Sequence, residues 1–126
     1  MLSKDIINKR RHKLLQAFSL NSPVYELFDC IEHVSFFAKD RDGVLLAANR
    51  YLIELYEFRS EDELIGHTDF DLLPRRLAEK FRQDDLQIME SGKPARKIVE
   101  LFLNRQGIPS WFLTSKYPIR STQGKV

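Results

Sequence analysis

The sequence predicts an α+β fold in which antiparallel strand pairs alternate with helices. Three observations predict it. Two strand-like runs, residues 34–48 and 96–119, each fold back at a glycine-containing turn, Asp40-Arg41-Asp42-Gly43 and Asn104-Arg105-Gln106-Gly107. Between them, Arg75 to Ser91 repeats apolar residues at helical spacing and is closed by Gly92 and Pro94. In front of that helix, Gly66-His67-Thr68-Asp69-Phe70-Asp71-Leu72-Leu73-Pro74 has room for barely one helical turn before Pro74 removes a backbone donor. If both hairpins lie in one sheet, this short piece and the long helix cover one face of it, and a cavity is to be sought between them.

Taken in order, residues 3–19 read as a helix opened by Ser3, with Ile7, Leu14, Leu15 and Phe18 close to one face and Lys9, Arg10 and Lys13 largely on the other. That stripe must bury itself on the chain's own sheet or on a second subunit, which makes these four apolar residues the candidate dimer contact. Asn21-Ser22-Pro23 breaks the helix, and Val24 to Ile31 suits a second, short one. Apolar residues on both parities of Val34 to Lys39 predict a first hairpin covered on both faces. Asn49 is placed to cap a helix through Tyr56, and Ser60-Glu61-Asp62-Glu63 fits a capping box for a one-turn helix ended by Gly66. On the long helix Leu77, Ala78, Phe81, Ile88 and Met89 share one face with Asp85 in its midst. A last turn, Ser121 to Gly124, precedes what reads as the start of a strand at Lys125-Val126.

The 126 residues suit one domain, and no apolar run approaches the roughly 18 residues of a membrane helix. We therefore expect a cytoplasmic protein without membrane contact. The single cysteine, Cys30, excludes an internal disulfide and reads as a small buried apolar residue. The formal charge of +2 conceals an asymmetry, since residues 1–13 carry five basic side chains against one acidic. Without interleaved aromatics such an arm reads as a solvated helix face before it reads as a nucleic-acid contact.

The order of elements resembles the PAS sensory domain, and so does the wording. Phe36-Phe37-Ala38-Lys39-Asp40-Arg41-Asp42-Gly43 with Ala48-Asn49 is similar to the family's opening hairpin. Ser60 to Gly66 followed by Thr68-Asp69-Phe70-Asp71 is similar to its short central helices, and Glu90 to Pro94 and Trp111 to Lys116 to its long-helix end and penultimate strand. The likeness is greatest to the PAS domain at the N-terminus of bacterial AraC-type transcription regulators, a variant also found in diguanylate cyclases and sensor kinases. It implies a five-stranded antiparallel sheet in order 2-1-5-4-3, helices over one face and a small-ligand cavity between. Residues 1–22 would be the amphipathic helix and linker, and 23–126 the PAS domain with its fifth strand truncated at Val126. It further implies a homodimer, and an output domain missing from this sequence through which any DNA contact would run.

Within that resemblance, Lys39, Asp69 or Asp71, Asp85 and Lys116 border the same space, with Phe37, Phe70, Phe81 and Trp111 to enclose a ligand. The bland alternative is that a lysine simply pairs with an aspartate and pins helix to sheet, because a buried charge costs several kcal/mol unless paired. No cofactor is firmly implied beyond an unknown small molecule. Haem is disfavoured because 75–91 lacks a histidine to serve as axial ligand, and His12, His33 and His67 read as capped or solvent-facing. Covalent flavin is disfavoured because Thr68-Asp69-Phe70-Asp71 stands where the flavin-adduct cysteine would be. No metal-ligand spacing, phosphate loop or nucleophile turn is visible, and Asp69 and Asp71 on one helical turn diverge, so no catalytic residues are expected.

Overall fold

A computed structural model of the chain describes residues 1–17, 26–121 and 123–126. They form two compact units, Met1–Thr68 and Asp69–Val126.

In the first unit, α1 spans Lys4–Ala17, and Ser3 Oγ accepts from the Ile6 amide at 3.4 Å. Ile7 is buried, and a Cβ on Gly66 would lie 2.5 Å from its Cδ1, so the left-handed Gly66 (φ +93°) makes room for it. Arg10 donates to Asp40 at 2.6 Å and to Asp42 at 3.1 Å, and Arg11 donates to Glu61. The helix is thus an intramolecular cap, and two of its basic residues are occupied. Ile7 is spent on its own chain, which removes it from the candidate dimer contact. Leu14 is half-buried, while Phe18 and the Leu15 side chain lie outside the described residues, as do residues 24 and 25 of the expected second helix, whose end is a 3₁₀ turn, Phe28–Cys30. Cys30 is exposed, against the expectation of burial.

Strands β1 (Phe37–Lys39) and β2 (Leu45–Ala48) pair antiparallel, and β2 is buried along its whole length, as the two-sided apolar pattern predicts. The far side of β2 exchanges Leu45 N to His67 O (2.9 Å) and Gly66 N to Leu45 O (2.8 Å). Asn49 caps α2 (Arg50–Leu55), its Oδ1 accepting from Leu52 N at 3.2 Å and also from Phe36 N at 3.0 Å. Its Nδ2 donates to the carbonyls of Phe28 (2.9 Å) and Val34 (2.7 Å), so one buried amide ties the 3₁₀ turn, the segment leading into β1 and α2 together. Ser60 stands at the cap of α3 (Glu61–Leu64), but its side chain makes no capping bond. The carboxylate meant for that box, Glu63, instead accepts from the Arg59 amide at 2.9 Å, one residue further back.

In the second unit α4 (Asp69–Leu72) leads through Pro74 into α5 (Arg75–Ser91), which buries Ala78, Phe81 and Ile88 and ends at the left-handed Gly92. Strands β3 (Ala95–Leu103) and β4 (Pro109–Lys116) pair antiparallel, Glu100 opposite Phe112 and Leu101 opposite Trp111, with a bulge between Ala95 and Ile98. Strand β4 stops three residues short of the expected end, just before Tyr117-Pro118, where the proline has no amide to give to a ladder. The pairings 2-1 and 4-3 of the expected sheet order are present. Among the described residues no fifth strand is formed.

Candidate ligand-binding cluster

Alternation along β3 and β4 gives their hairpin two unlike faces. Ile98, Glu100 and Phe102 share one face with Phe112, Thr114 and Lys116, and of these Glu100, Phe102 and Lys116 are buried. Val99, Trp111 and Leu113 lie on the other, 62%, 69% and 66% exposed. The end of β4 therefore carries an ammonium inward among apolar neighbours. Such a charge is held only where opposite charge meets it.

Lys116 Nζ lies 3.0 Å from Asp85 Oδ1 on α5 and 3.2 Å from Glu100 Oε2 on β3, and 5.1 Å from the centre of the Phe81 ring. Burial is the largest single influence on this ammonium and acts to lower its pKa. The two carboxylates together outweigh it, so the pKa is raised above the usual lysine value and Lys116 stays charged. Asp85 accepts a hydrogen bond from it. Glu100 Oε2, also buried, is the second carboxylate of the pair.

The sequence-derived site is gathered in part. Asp85, Lys116 and Phe81 come together. Asp69 is buried, with its carbonyl accepting from Leu73 N at 2.8 Å, whereas Asp71 and Phe70 are exposed. Trp111 stands apart from that cluster. It lies five residues from Lys116, and an odd spacing in a strand places the two on opposite faces. Phe37 and Lys39 belong to the first unit, where the Lys39 ammonium lies 5.4 Å from the Phe37 ring centre. Glu100 was missed, although a lone charge between Ile98 and Phe102 in a period-two apolar row is a visible signal. Beside that row, a groove of about 290 Å³ is lined by Ile88, Gln87 and Asp84 of α5 and by Lys93, Ala95 and Ile98.

The fold is that of an α+β domain of antiparallel hairpins and helices, and its family follows from comparison with known proteins. The PAS fold family matches residues 33–126, and the chain belongs to it. Solved structures similar to it include VqmA of Vibrio cholerae as a dimer without its target DNA, at 24% identity and a TM-score of 0.68 over 84% of this chain and 48% of that one. VqmA in complex with ligand and DNA has the same values, and VqmA bound to DPO gives 24% and 0.67 over 82% and 53%. At that identity the likeness is one of fold, and the chain spans about half the length of these structures. No curated protein matches the chain. No helix among the described residues is long and apolar enough to cross a membrane.

Proposed function

We propose that this PAS domain is the sensory input of a cytoplasmic bacterial transcription regulator, that it binds a small ligand at the Lys116 cluster, and that it dimerises and signals to an output domain. It does no chemistry of its own. The single observation that carries the ligand reading is the buried Lys116–Asp85–Glu100 group beside the Ile88/Ile98 groove. An apolar wall with a few convergent polar groups is the usual make-up of a small-molecule site. The regulator reading is supported by the family and by the fold shared with VqmA, a protein described as a dimeric, ligand-binding and DNA-binding receptor of LuxR type. Input to a diguanylate cyclase or sensor kinase uses the same domain and differs only in its output. With Ile7 occupied, a homodimer would draw on other apolar surface than the whole α1 stripe.

The test is a thermal-shift screen against small metabolites, repeated with Asp85→Ala and Lys116→Ala. A ligand at 100 times its Kd adds about 2.7 kcal/mol to stability. One chemical class that stabilises the parent and loses its effect in a folded variant establishes the site. A second reading, an interaction module with a self-filled core, is favoured by the Lys116–Asp85 hydrogen bond, which satisfies the ammonium internally. It takes the lead if the screen is blank while both variants melt lower.

A further inference from the structure

We propose that the open end of the β3–β4 hairpin, opposite its turn, contacts the phosphate backbone of a nucleic acid through Lys93, Arg96, Lys97 and Arg120. The contact is independent of the ligand reading of the Lys116 cluster. Charge is divided unevenly along this chain. Residues 1–68 carry 9 basic and 11 acidic side chains, and residues 69–126 carry 11 and 7. From Ser91 to Val126 the single acidic side chain is Glu100, which is buried against Lys116. Seven basic side chains share that stretch. Lys116 is answered within the chain, Arg105 sits at the hairpin's turn and Lys125 follows Gly124, which leaves the four named.

The fold gathers these four. Arg120 donates through Nη2 to the carbonyl of Gly92 and through Nη1 to that of Gly124, each at 3.1 Å, which brings the segment after β4 beside Lys93. Neutral carbonyls hold the guanidinium without cancelling its charge. Arg96 lies 5.5 Å from the centre of the Tyr117 ring, and the Lys97 amide donates to Ser115 Oγ at 3.2 Å. A regular strand would turn one of two consecutive residues inward. Here the bulge between Ala95 and Ile98, with Lys97 in the left-handed region (φ +55°), leaves Arg96 and Lys97 both exposed. Among the described residues none of the four pairs with a carboxylate. The acidic residues that precede them lie on α5, where Asp84 is met by Lys80 at 3.6 Å and Glu90 is exposed.

Cations spread over a surface, not converged in a pocket, suit an extended polyanion better than one small anion. Tyr117 is exposed beside Arg96, which gives this surface the aromatic that the basic arm of α1 lacks, and an arginine held on a ring keeps its fitness for phosphate. In α1, by contrast, Arg10 and Arg11 are already held by carboxylates. Phosphate contacts fix position and carry no base sequence, so this end braces the chain on a nucleic acid without reading it.

Fluorescence anisotropy of a labelled duplex of arbitrary sequence, titrated with the whole chain at several salt concentrations, tests this. Four phosphate contacts give a log–log salt slope of about −3 to −4, so affinity should fall about 100-fold between about 50 and 200 mM salt. Arg96→Gln with Lys97→Gln should weaken binding by at least about tenfold and bring the slope to about −2. Lys93→Gln alone should make the slope shallower by about one, and it decides the matter where the double variant does not fold. Lys4→Gln, Lys9→Gln and Lys13→Gln together on α1 should leave affinity and slope unchanged. No binding at the lowest salt overturns the proposal, as does a slope that folded Lys93→Gln leaves as it was, or a loss of binding confined to the α1 variant. Val99 and Leu113 lie exposed beside Lys97 and Ser115, so phosphatidylserine vesicles and polyglutamate are titrated as competitors. Tighter binding to either at equal anion concentration overturns it too, and assigns the surface to a membrane or to an acidic protein.

Discussion

The two units solve the same problem, a polar group inside an apolar surround, in different ways. In the first, Asn49 is 2% exposed and both its amide nitrogen and its amide oxygen are doubly engaged with backbone groups. Nothing is left over for another molecule, and the group acts as a structural pin. In the second, Lys116 lies between two carboxylates, 3.0 Å from Asp85 and 3.2 Å from Glu100. A neutral, fully satisfied amide costs little to bury, whereas charges held by one another are expensive to bury. The first unit is pinned by a satisfied neutral group, the second by an ion-paired triad.

The largest expected effect tests the charged side of that contrast. Lys116→Met keeps most of the length of the side chain and leaves Asp85 and Glu100 facing each other in a dry site, which should cost about 3–5 kcal/mol. Urea unfolding measures it, and a variant as stable as the parent would mean that the triad is hydrated and not a special site. The raised lysine pKa fixes the pH dependence. Its contribution is fully present below the ordinary lysine value of 10.5 and is lost as pH climbs through the raised folded value. Lys116→Met should therefore flatten that part of the alkaline stability profile.

Asn49→Ala comes next, at about 2–4 kcal/mol. It strands two amides and two carbonyls, but Val34 is already exposed, so water re-satisfies part of what is lost. The same urea titration serves. A loss under about 1 kcal/mol would show that the pin is redundant and would dissolve the contrast from the other side.

Much of this was legible in the residues because local chemistry decides it. Asp40 and Asn104 build their turns the same way, each side-chain oxygen accepting from the amides two and four residues on, with a left-handed glycine at the third position. Ser121 does likewise with Gln123, Lys125 and Gly124. Helix α5 runs between the very residues that Pro74, Gly92 and its apolar spacing indicate. The Asp85–Lys116 pair was legible by charge. The capping box at Ser60 failed because Glu63 had a nearer amide in Arg59. Burial of Cys30 failed because a residue type sets an average and its turn sets the place. Glu100 and Trp111 are the instructive pair. Their opposite faces follow from strand parity, which the sequence displays, whereas hydrophobicity alone favours burial of the aromatic over the glutamate.

The smallest expected effect sharpens that last point. Trp111 is 69% exposed and lies with Val99 and Leu113 on the face away from Lys116. A large aromatic in a pocket wall would cost several kcal/mol to truncate, but one already in water has little burial to lose. Trp111→Ser should therefore change the urea midpoint by no more than the equivalent of about 0.5 kcal/mol at low protein concentration and leave ligand-induced thermal shifts intact. A loss that grows with protein concentration would place Trp111 in a contact between copies of the chain, because stability then depends on association. A large, concentration-independent loss would mean that the hairpin buries both faces, and the two-faced reading that sets Glu100 apart from Trp111 would fail with it.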